Sequence, residues 1–355
     1  MGSLWASLSY QLQTNGNRTK CFIPLKTGKI EIGDWTISNL QSLKTTMSDF
    51  ITVNQLADIP HRVPTLVAIG SFDGVHLGHQ AVLKRMVAAA REMRMRTAVL
   101  TFFPHPQRVL RDLTGPYYIA TLTDRVHWLA DCGVDVVITH PFNDEVRHIR
   151  AADFVAQLCQ YLDMRQLWGG NFALGYKREG DVPYLQALGE EKGYTVELVN
   201  DIVTWQDEPV SSSRIRRHLQ AGQIEAANGC LGRPYRLRGI VVRGDQRGRT
   251  IGFPTANTAY WPEQVIPANG VYATTAWVGP TPYRAATNVG VRPTVDGLHL
   301  TVEAHLLDFD GDLYDQELCL EFLARIRPEK KFSSLDELKA QIQADVSQVR
   351  AAPRP

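Results

Sequence analysis

The hydrophobic pattern changes character twice along the chain. From Met1 to about Thr46, Gly, Thr, Asn and Lys mix with scattered apolar residues, and no period is sustained. From Thr65 a regular alternation begins. Thr65-Leu-Val-Ala-Ile69 is a short apolar run that stops at Gly70 and predicts a buried strand. Val82, Leu83, Met86, Val87 and Ala90 then recur at helical spacing, with Lys84, Arg85, Arg91 and Glu92 on the opposite side. Strands are predicted at Ala98–Phe102, Val134–Ile138, Gln166–Trp168 and Thr195–Val199. Helices are predicted at Asp124–Cys132, Ala151–Leu162 and Val182–Lys192. Strand–helix alternation of this kind implies a parallel sheet with helices on both faces. Beyond Gly232-Arg-Pro-Tyr235 the runs become rich in Val, Thr and Tyr between Gly and Pro: Leu237–Val242, Val271–Val278, Leu300–Leu307 and Leu318–Phe322. These predict antiparallel strands and a small barrel. A helix should follow from Ser334, with Leu335, Leu338, Ile342 and Val346 on one face. The expected fold class is α/β plus β, in three segments. Residues 1–46 are an extension, read as a tail or as sequence ahead of a start at Met47. Residues 47–228 form the parallel-sheet domain, and 229–355 form the barrel with its terminal helix.

Composition narrows the partners. The 355 residues exceed one ordinary domain core. Lys plus Arg number 38 against 37 Asp plus Glu, a formal charge of +1, so no global field draws the chain to nucleic acid or to an acidic membrane. Anionic ligands must be held locally. The 5 cysteines are widely spaced with no Cys-x-x-Cys, which argues against a disulfide framework or structural zinc and for a reducing compartment. With no long apolar run and no basic-then-apolar start, the expectation is a cytoplasmic protein. Nothing in the sequence sets an oligomeric state.

The first chemical constellation is Gly70-Ser-Phe-Asp-Gly-Val-His-Leu-Gly-His79, between the first strand and the first helix. Doubly wound sheets bind ligands outside the carboxyl ends of their strands, and the free N–H groups of a helix start favour anions. His76 and His79 share a face of the first turn, and Gly78 allows close approach to the backbone. Such a pair can stabilise charge developing on a phosphate. The alternatives are a metal pair, which lacks a nearby third ligand, and ordinary surface histidines. Ser211-Ser-Ser-Arg-Ile-Arg216 is a second element: Ser suits a helix N-cap and Arg suits phosphate, although without the histidine motif the segment reads first as a capped helix with a basic solvated face.

The second constellation is Gly244-Asp-Gln-Arg-Gly-Arg-Thr-Ile-Gly-Phe-Pro-Thr-Ala-Asn257, a Gly-rich basic loop without the Gly-Lys-Ser/Thr of a Walker loop. Thr255 and Asn257 lie two apart, and their hard oxygens suit Mg2+. A plain surface hairpin fits the same spacing. Glu303 alternates with Val302 and Ala304 in a strand-like run. It either faces solvent or serves as a base in phosphoryl transfer.

From about Pro64 to Arg350 the chain resembles the prokaryotic bifunctional riboflavin kinase/FMN adenylyltransferases, also called FAD synthetases. The resemblance rests on Phe72–His79, Thr101-Phe-Phe-Pro-His-Pro106, Ser211–Arg216, Leu231-Gly-Arg-Pro-Tyr235, Gly248–Asn257, Gly270-Val-Tyr-Ala273, Asn288-Val-Gly-Val-Arg-Pro-Thr294, His305–Phe309 and Asp312-Leu-Tyr314, in family order. It implies a Rossmann-like nucleotidylyltransferase domain followed by a riboflavin kinase barrel, with riboflavin, FMN, FAD and ATP as ligands, Mg2+ as cofactor and ATP as co-substrate. Carried over residue by residue, Glu303 is the kinase base, Thr255 and Asn257 hold Mg2+, and Gly248, Gly252, Phe253 and Pro254 belong to the same loop. In the first half, His76 and His79 are catalytic. Gly70, Phe72, Asp73, Gly74, Gly78, Asn171, Ser212, Ser213 and Arg216 bind nucleotide and flavin. The chain departs from the family pattern at Ser71, where Asn is usual, at Ser213, where Thr is common, and at Ala173-Leu174-Gly175, which removes an aromatic. Two other readings stand beside the bifunctional enzyme: a riboflavin kinase with an impaired adenylyltransferase half, and a flavin-binding protein without turnover.

Overall fold

The computed structural model describes residues 11–15, 18–25, 28–32, 50–170, 172–244, 247–294 and 297–352. Met1–Thr52 and Val53–Pro355 form two compact units. In the first, β1 (Gln11–Asn15), β2 (Arg18–Leu25) and β3 (Gly28–Ile32) make an antiparallel sheet in sequence order. The rest of the stretch read as an extension lies outside the described residues.

In the second unit, β4 (Thr65–Gly70), β5 (Arg96–Phe103), β6 (Val136–Pro141), β7 (Met164–Gly169) and β8 (Thr195–Leu198) run parallel in the order β6-β5-β4-β7-β8. The chain winds outward from β4 in both directions, so the switch point lies at the carboxyl ends of β4 and β7. Leu66, Val67 and Ala68 of β4 are buried, as a strand covered on both faces requires. Helix α1 (Leu77–Met93) buries Leu83, Met86, Val87 and Ala90. Helix α2 (Leu122–Asp131) starts two residues earlier than its apolar spacing predicts, because the Thr121 side chain accepts from Asp124 N and caps it. Strand β6 begins two residues later than expected: Asp135 is occupied by Thr97, whose N and Oγ1 both donate to its carboxylate at 2.7 Å. Helices α3 (Ala151–Leu162) and α4 (Val182–Lys192) match their predicted limits.

Helices α5 (Ser212–Gln220) and α6 (Ile224–Leu231) lead into a closed six-stranded barrel. Its strands are β9 (Tyr235–Val242), β10 (Ala256–Tyr260), β11 (Gly270–Val278), β12 (Thr281–Thr294), β13 (Gly297–Leu306) and β14 (Glu317–Arg327), ordered β9-β10-β13-β12-β11-β14. The apolar pattern does not reveal β10 or the 14-residue β12. Pro282 and Pro293 make the latter read as loop, but they sit near its two ends, opposite Trp277 and Leu298. Ile215, Leu219, Ile224 and Leu231 of the two helices share one apolar core with Leu237, Tyr272, Leu318 and Phe322 of the barrel. Each such fully buried side chain contributes roughly 1.5–3 kcal/mol.

Strand β9 alternates strictly, with Tyr235, Leu237 and Val241 inward and Arg236 and Arg238 outward. Arg238 Nε donates to Asp124 Oδ1 at 2.9 Å, and Arg236 Nη1 lies 3.4 Å from the same oxygen. Asp124 is buried and ties both guanidinium groups to α2, while Arg236 also donates to Glu321 Oε1 and Arg238 to Glu317 Oε1, each at 2.7 Å. The barrel is therefore fixed in orientation on α2. The terminal helix α7 (Leu335–Ala351), capped by Ser334, packs Val346 and Val349 against Ala273 and Leu307, with Phe253 at the edge of that cluster.

Candidate functional sites

The loop between β4 and α1 is held in an uncommon conformation. Phe72 (φ 45°), Gly74 (φ 79°) and Val75 (φ 36°) all lie on the left-handed side. For β-branched Val75 this costs on the order of 1–3 kcal/mol and persists only where the surroundings impose it. Gly74 tolerates no side chain, since a Cβ there would lie 2.8 Å from Ile119 Cγ2. The loop delivers His76 to the N-cap of α1, where its Nδ1 accepts from His79 N at 3.4 Å. The acceptor role of Nδ1 assigns the proton of neutral His76 to Nε2. The two imidazoles stack with centroids 3.6 Å apart at 19°, and Phe72 meets the His79 ring edge-on at 5.1 Å. Burial lowers the His76 pKa to about 4; Arg233 and Arg216 push the same way, and Asp73 opposes them. Burial likewise holds His79 well below 6.5, helped by His76, Arg125 and Arg233. Both rings are neutral at neutral pH, and His79 Nδ1 is buried with no hydrogen-bond partner among the described residues. The site thus presents two stacked neutral imidazoles at a helix start, one with an unused ring nitrogen, and neutral rings there can offer N–H donors without carrying charge.

The Ser211–Arg216 element joins this loop. Ser211 caps α5 by accepting from Arg214 N, and Ser212 Oγ donates to Asp73 O at 3.1 Å. Arg216 Nη2 donates to Asp73 Oδ2 at 2.6 Å, Nε donates to Tyr117 O at 2.7 Å, and the guanidinium lies over the Tyr117 ring. Asp73 also accepts from Ile119 N and Ala120 N, so its carboxylate is engaged by protein donors. Arg214 is buried and bonds Trp205 O and Glu208 O, a structural role. Ser213 is exposed on the first turn. Gly70 packs against the Phe72 ring, and a Cβ at Gly78 would lie 3.2 Å from His76 Cε1. Asn171 lies outside the described residues. His105 is a member of this neighbourhood that sequence reasoning misses. It is buried, its pKa falls to about 4 through burial, and it feels the same Asp73 and Arg216 charges as His76. The signal that could have found it is Pro104-His105-Pro106 directly after a strand.

The lowered histidine pKa values have a consequence for stability. Between pH 6.5 and about 4 the unfolded chain binds a proton at His76 that the native state refuses, so stability falls as pH falls through that window. The slope approaches about 1.4 kcal/mol per pH unit for each such group. Urea midpoints at pH 7, 6 and 5 should fall accordingly. His76→Asn keeps a cap acceptor but cannot titrate, so its profile should be shallower. An unchanged slope would show that His76 titrates normally.

The second constellation is built on the barrel. Gly248 O accepts from Ile251 N and Phe253 N, folding the loop back on itself. A Cβ at Gly248 would collide with Phe253 O, and Gly252 adopts φ 89°. His305 Nδ1 lies 2.7 Å from Pro254 O, and its ring meets Phe253 edge-on, fixing the Pro254–Thr255 bend. Thr255 Oγ1 then donates to Glu303 Oε2 at 3.4 Å. Asn257 on β10 stands directly opposite Glu303 on β13, and Glu303 stands opposite Asn288 on β12. Directly opposed residues share a face, so the three polar groups form a row on the outer face of the barrel. Thr255 also lines a cavity of about 490 Å³ with Arg249, Phe309, Asp312 and Tyr314. That volume is in the range of small-molecule sites. Thr255 and Asn257 offer hard oxygens beside a carboxylate, and Gly244 packs against the Asn257 amide, where a Cβ would collide with Nδ2 and fall 2.8 Å from Oδ1. This donor set fits Mg2+, which takes few protein ligands and keeps phosphate and water oxygens. Among the described residues there is no cluster of three or more His, Cys, Asp or Glu able to hold a metal alone.

Each constellation falls in a segment that matches known proteins. A family model described as FAD synthetase matches residues 58–214, and one described as riboflavin kinase matches residues 231–352. Proteins named bifunctional riboflavin kinase/FMN adenylyltransferase from Haemophilus influenzae, Pseudomonas fluorescens and Escherichia coli are 38%, 37% and 37% identical to this chain. The alignments cover 80%, 83% and 79% of it and 93%, 95% and 90% of those proteins. A solved structure named macrolide-efflux protein, from Streptococcus pneumoniae, is 30% identical with a TM-score of 0.77, covering 85% of this chain and 99% of that one.

Proposed function

The chain belongs to the bifunctional riboflavin kinase/FMN adenylyltransferase family, and on that premise we propose how its residues divide two ATP-dependent reactions between two sites. The enzyme phosphorylates riboflavin to FMN and then joins FMN to AMP, giving FAD and pyrophosphate. We assign the adenylyl transfer to residues 47–228 and the kinase to residues 229–355.

In the kinase half, Glu303 takes the proton of the ribityl 5′-hydroxyl as that oxygen attacks the γ-phosphorus of ATP, and ADP leaves. Thr255, donating to Glu303, fixes the carboxylate. Thr255 and Asn257 hold Mg2+, which when bound neutralises the charge of the ATP phosphates. The loop Gly248–Pro254 closes over the phosphates with its backbone. In the adenylyltransferase half, a phosphate oxygen of FMN attacks the α-phosphorus, and pyrophosphate carries away the electron pair of the broken P–O bond. His76 donates from Nε2 and His79 from a ring N–H to the oxygens where charge grows, in a buried setting where such bonds are strengthened. Ser212 and Ser213 face the triphosphate at the start of α5, and Arg216, anchored by Nε and Nη2, offers it Nη1. The family resemblance assigns Asn171 a further role in binding flavin and nucleotide. Neither half needs a covalent enzyme intermediate, because positioning and electrostatics suffice.

The observation that carries this division is the presence of two separate constellations, the stacked histidines and the group of Thr255, Asn257 and Glu303, each inside the segment matched by its own family model. Cys132, Cys159, Cys230 and Cys319 are free, which suits the cytoplasm, where we place the enzyme. Timed chromatography of purified protein with riboflavin, ATP and Mg2+ tests the reading. FMN should appear first and FAD follow, and chelation of Mg2+ should stop the first step. Accumulation of FMN alone would leave only the kinase; unchanged riboflavin would leave only a binder.

A further inference from the structure

We propose that Arg233, contributed by the kinase half, is a positioning residue for adenylyl transfer: its guanidinium clamps the strained loop that presents His76 and His79.

The geometry crosses the boundary between the halves. Arg233 Nη1 donates to Val75 O at 3.0 Å and lies 3.2 Å from Leu231 O, while Nη2 donates to Gly74 O. Gly74 and Val75 are two of the residues forced to positive φ immediately before His76. The guanidinium is also stacked on Trp128 of α2, 3.6 Å from the ring centroid, so its plane is fixed from behind. A second tie runs beside it: Gln80 Nε2, on the first turn of α1, lies 2.9 Å from both Val75 O and Leu231 O. Gly232, at φ 71°, leaves room for Leu77, whose Cδ2 would be 2.5 Å from a Cβ there. The segment Leu231–Arg233 therefore holds both ends of the turn that carries the two imidazoles.

A planar fork that satisfies two consecutive carbonyls can hold an unfavourable backbone turn, whereas Lys would supply one point of charge and no plane. The buried cation also acts on the rings. The charged and titratable groups facing His76 are Asp73, Arg216 and Arg233; those facing His79 are His76, Arg125 and Arg233. Arg233 is common to both sets. Its guanidinium is spent on the Gly74–Val75 turn, Leu231 and Trp128, whereas Thr255, Asn257 and Glu303 sit on and before other strands of the barrel, so the kinase chemistry is independent of it.

This inference rests on adenylyl transfer taking place at His76 and His79, and the test separates the two ideas. Full-length wild type and Arg233→Met are compared for FAD formation from supplied FMN and for FMN formation from riboflavin. A misplaced catalytic loop of this kind costs about 100-fold in rate. That selective loss is expected for the first reaction, with the second unchanged. The acid limb of the adenylylation pH profile should move to higher pH, because one cation is removed from beside both imidazoles. Arg233→Lys should restore the limb but not the full rate. Full adenylyl transfer in Arg233→Met, or equal loss of both activities, would overturn the proposal. If Arg233→Met does not fold, Arg233→Lys decides alone: a selective loss of FAD formation supports the clamp, and an undiminished rate refutes it. Absence of FAD formation in wild type would instead sink the underlying reading.

Discussion

Glu303→Gln is expected to lower riboflavin phosphorylation by about 10³-fold, the scale of a positioned general base, while FAD formation from supplied FMN continues at the wild-type rate. The substitution is isosteric. The amide oxygen of Gln can still accept from Thr255 Oγ1, so the loop that carries Thr255 and Asn257 should keep its place. What is lost is the ability to take a proton. The loss should therefore fall on kcat, with the KM for Mg-ATP little changed. Kinase activity near the wild-type level in this variant would remove Glu303 from the mechanism.

The double variant His76→Ala with His79→Ala should do the reverse. Riboflavin is converted to FMN at the normal rate, and FMN accumulates. Removing one preorganised donor from a developing oxyanion costs about 10²–10³-fold, and here two are removed together. His76 also caps α1, and losing a cap costs about 1 kcal/mol. That is small against the stability of a folded domain, and the intact kinase of the same chain reports that the protein is folded. His76→Asp with His79→Ala, which keeps a cap acceptor but offers no N–H donor, should show the same accumulation of FMN. FAD formation at the normal rate in either variant would place the adenylyl transfer elsewhere.

Much of the architecture is legible in the residue pattern. The apolar runs at Thr65–Ile69 and Ala98–Phe102 and the helical spacing of Val82 to Ala90 indicate a parallel sheet, and the Val-, Thr- and Tyr-rich runs between Gly and Pro after Tyr235 indicate a barrel. Local signals fail where long-range pairing decides the outcome. Strand β12 keeps Pro282 and Pro293 because both lie near its ends, which only the register of its neighbours reveals. The alternation around Glu303 correctly turns it away from Val302 and Ala304, but sequence alone leaves open whether that face meets solvent. The structure places Thr255 against it. The spacing of His76 and His79 gives a shared face, but not their stacking or their neutrality, which arise from burial by residues distant in the chain. Nor can spacing pair Asp73 with Arg216, 143 positions away, or bring Arg233 to Gly74 and Val75.

Central to the proposed mechanism are two ATP sites whose chemical steps are separable, one in each segment matched by its own family model. Mixing the two catalytically broken proteins tests this most directly. Glu303→Gln alone should leave riboflavin unchanged, and the double histidine variant alone should stop at FMN. Together, with riboflavin and Mg-ATP, they should form FAD, because FMN released by one protein is adenylylated by the other. A mixture that yields no FAD, although each variant retains its predicted single activity, would contradict two separable sites.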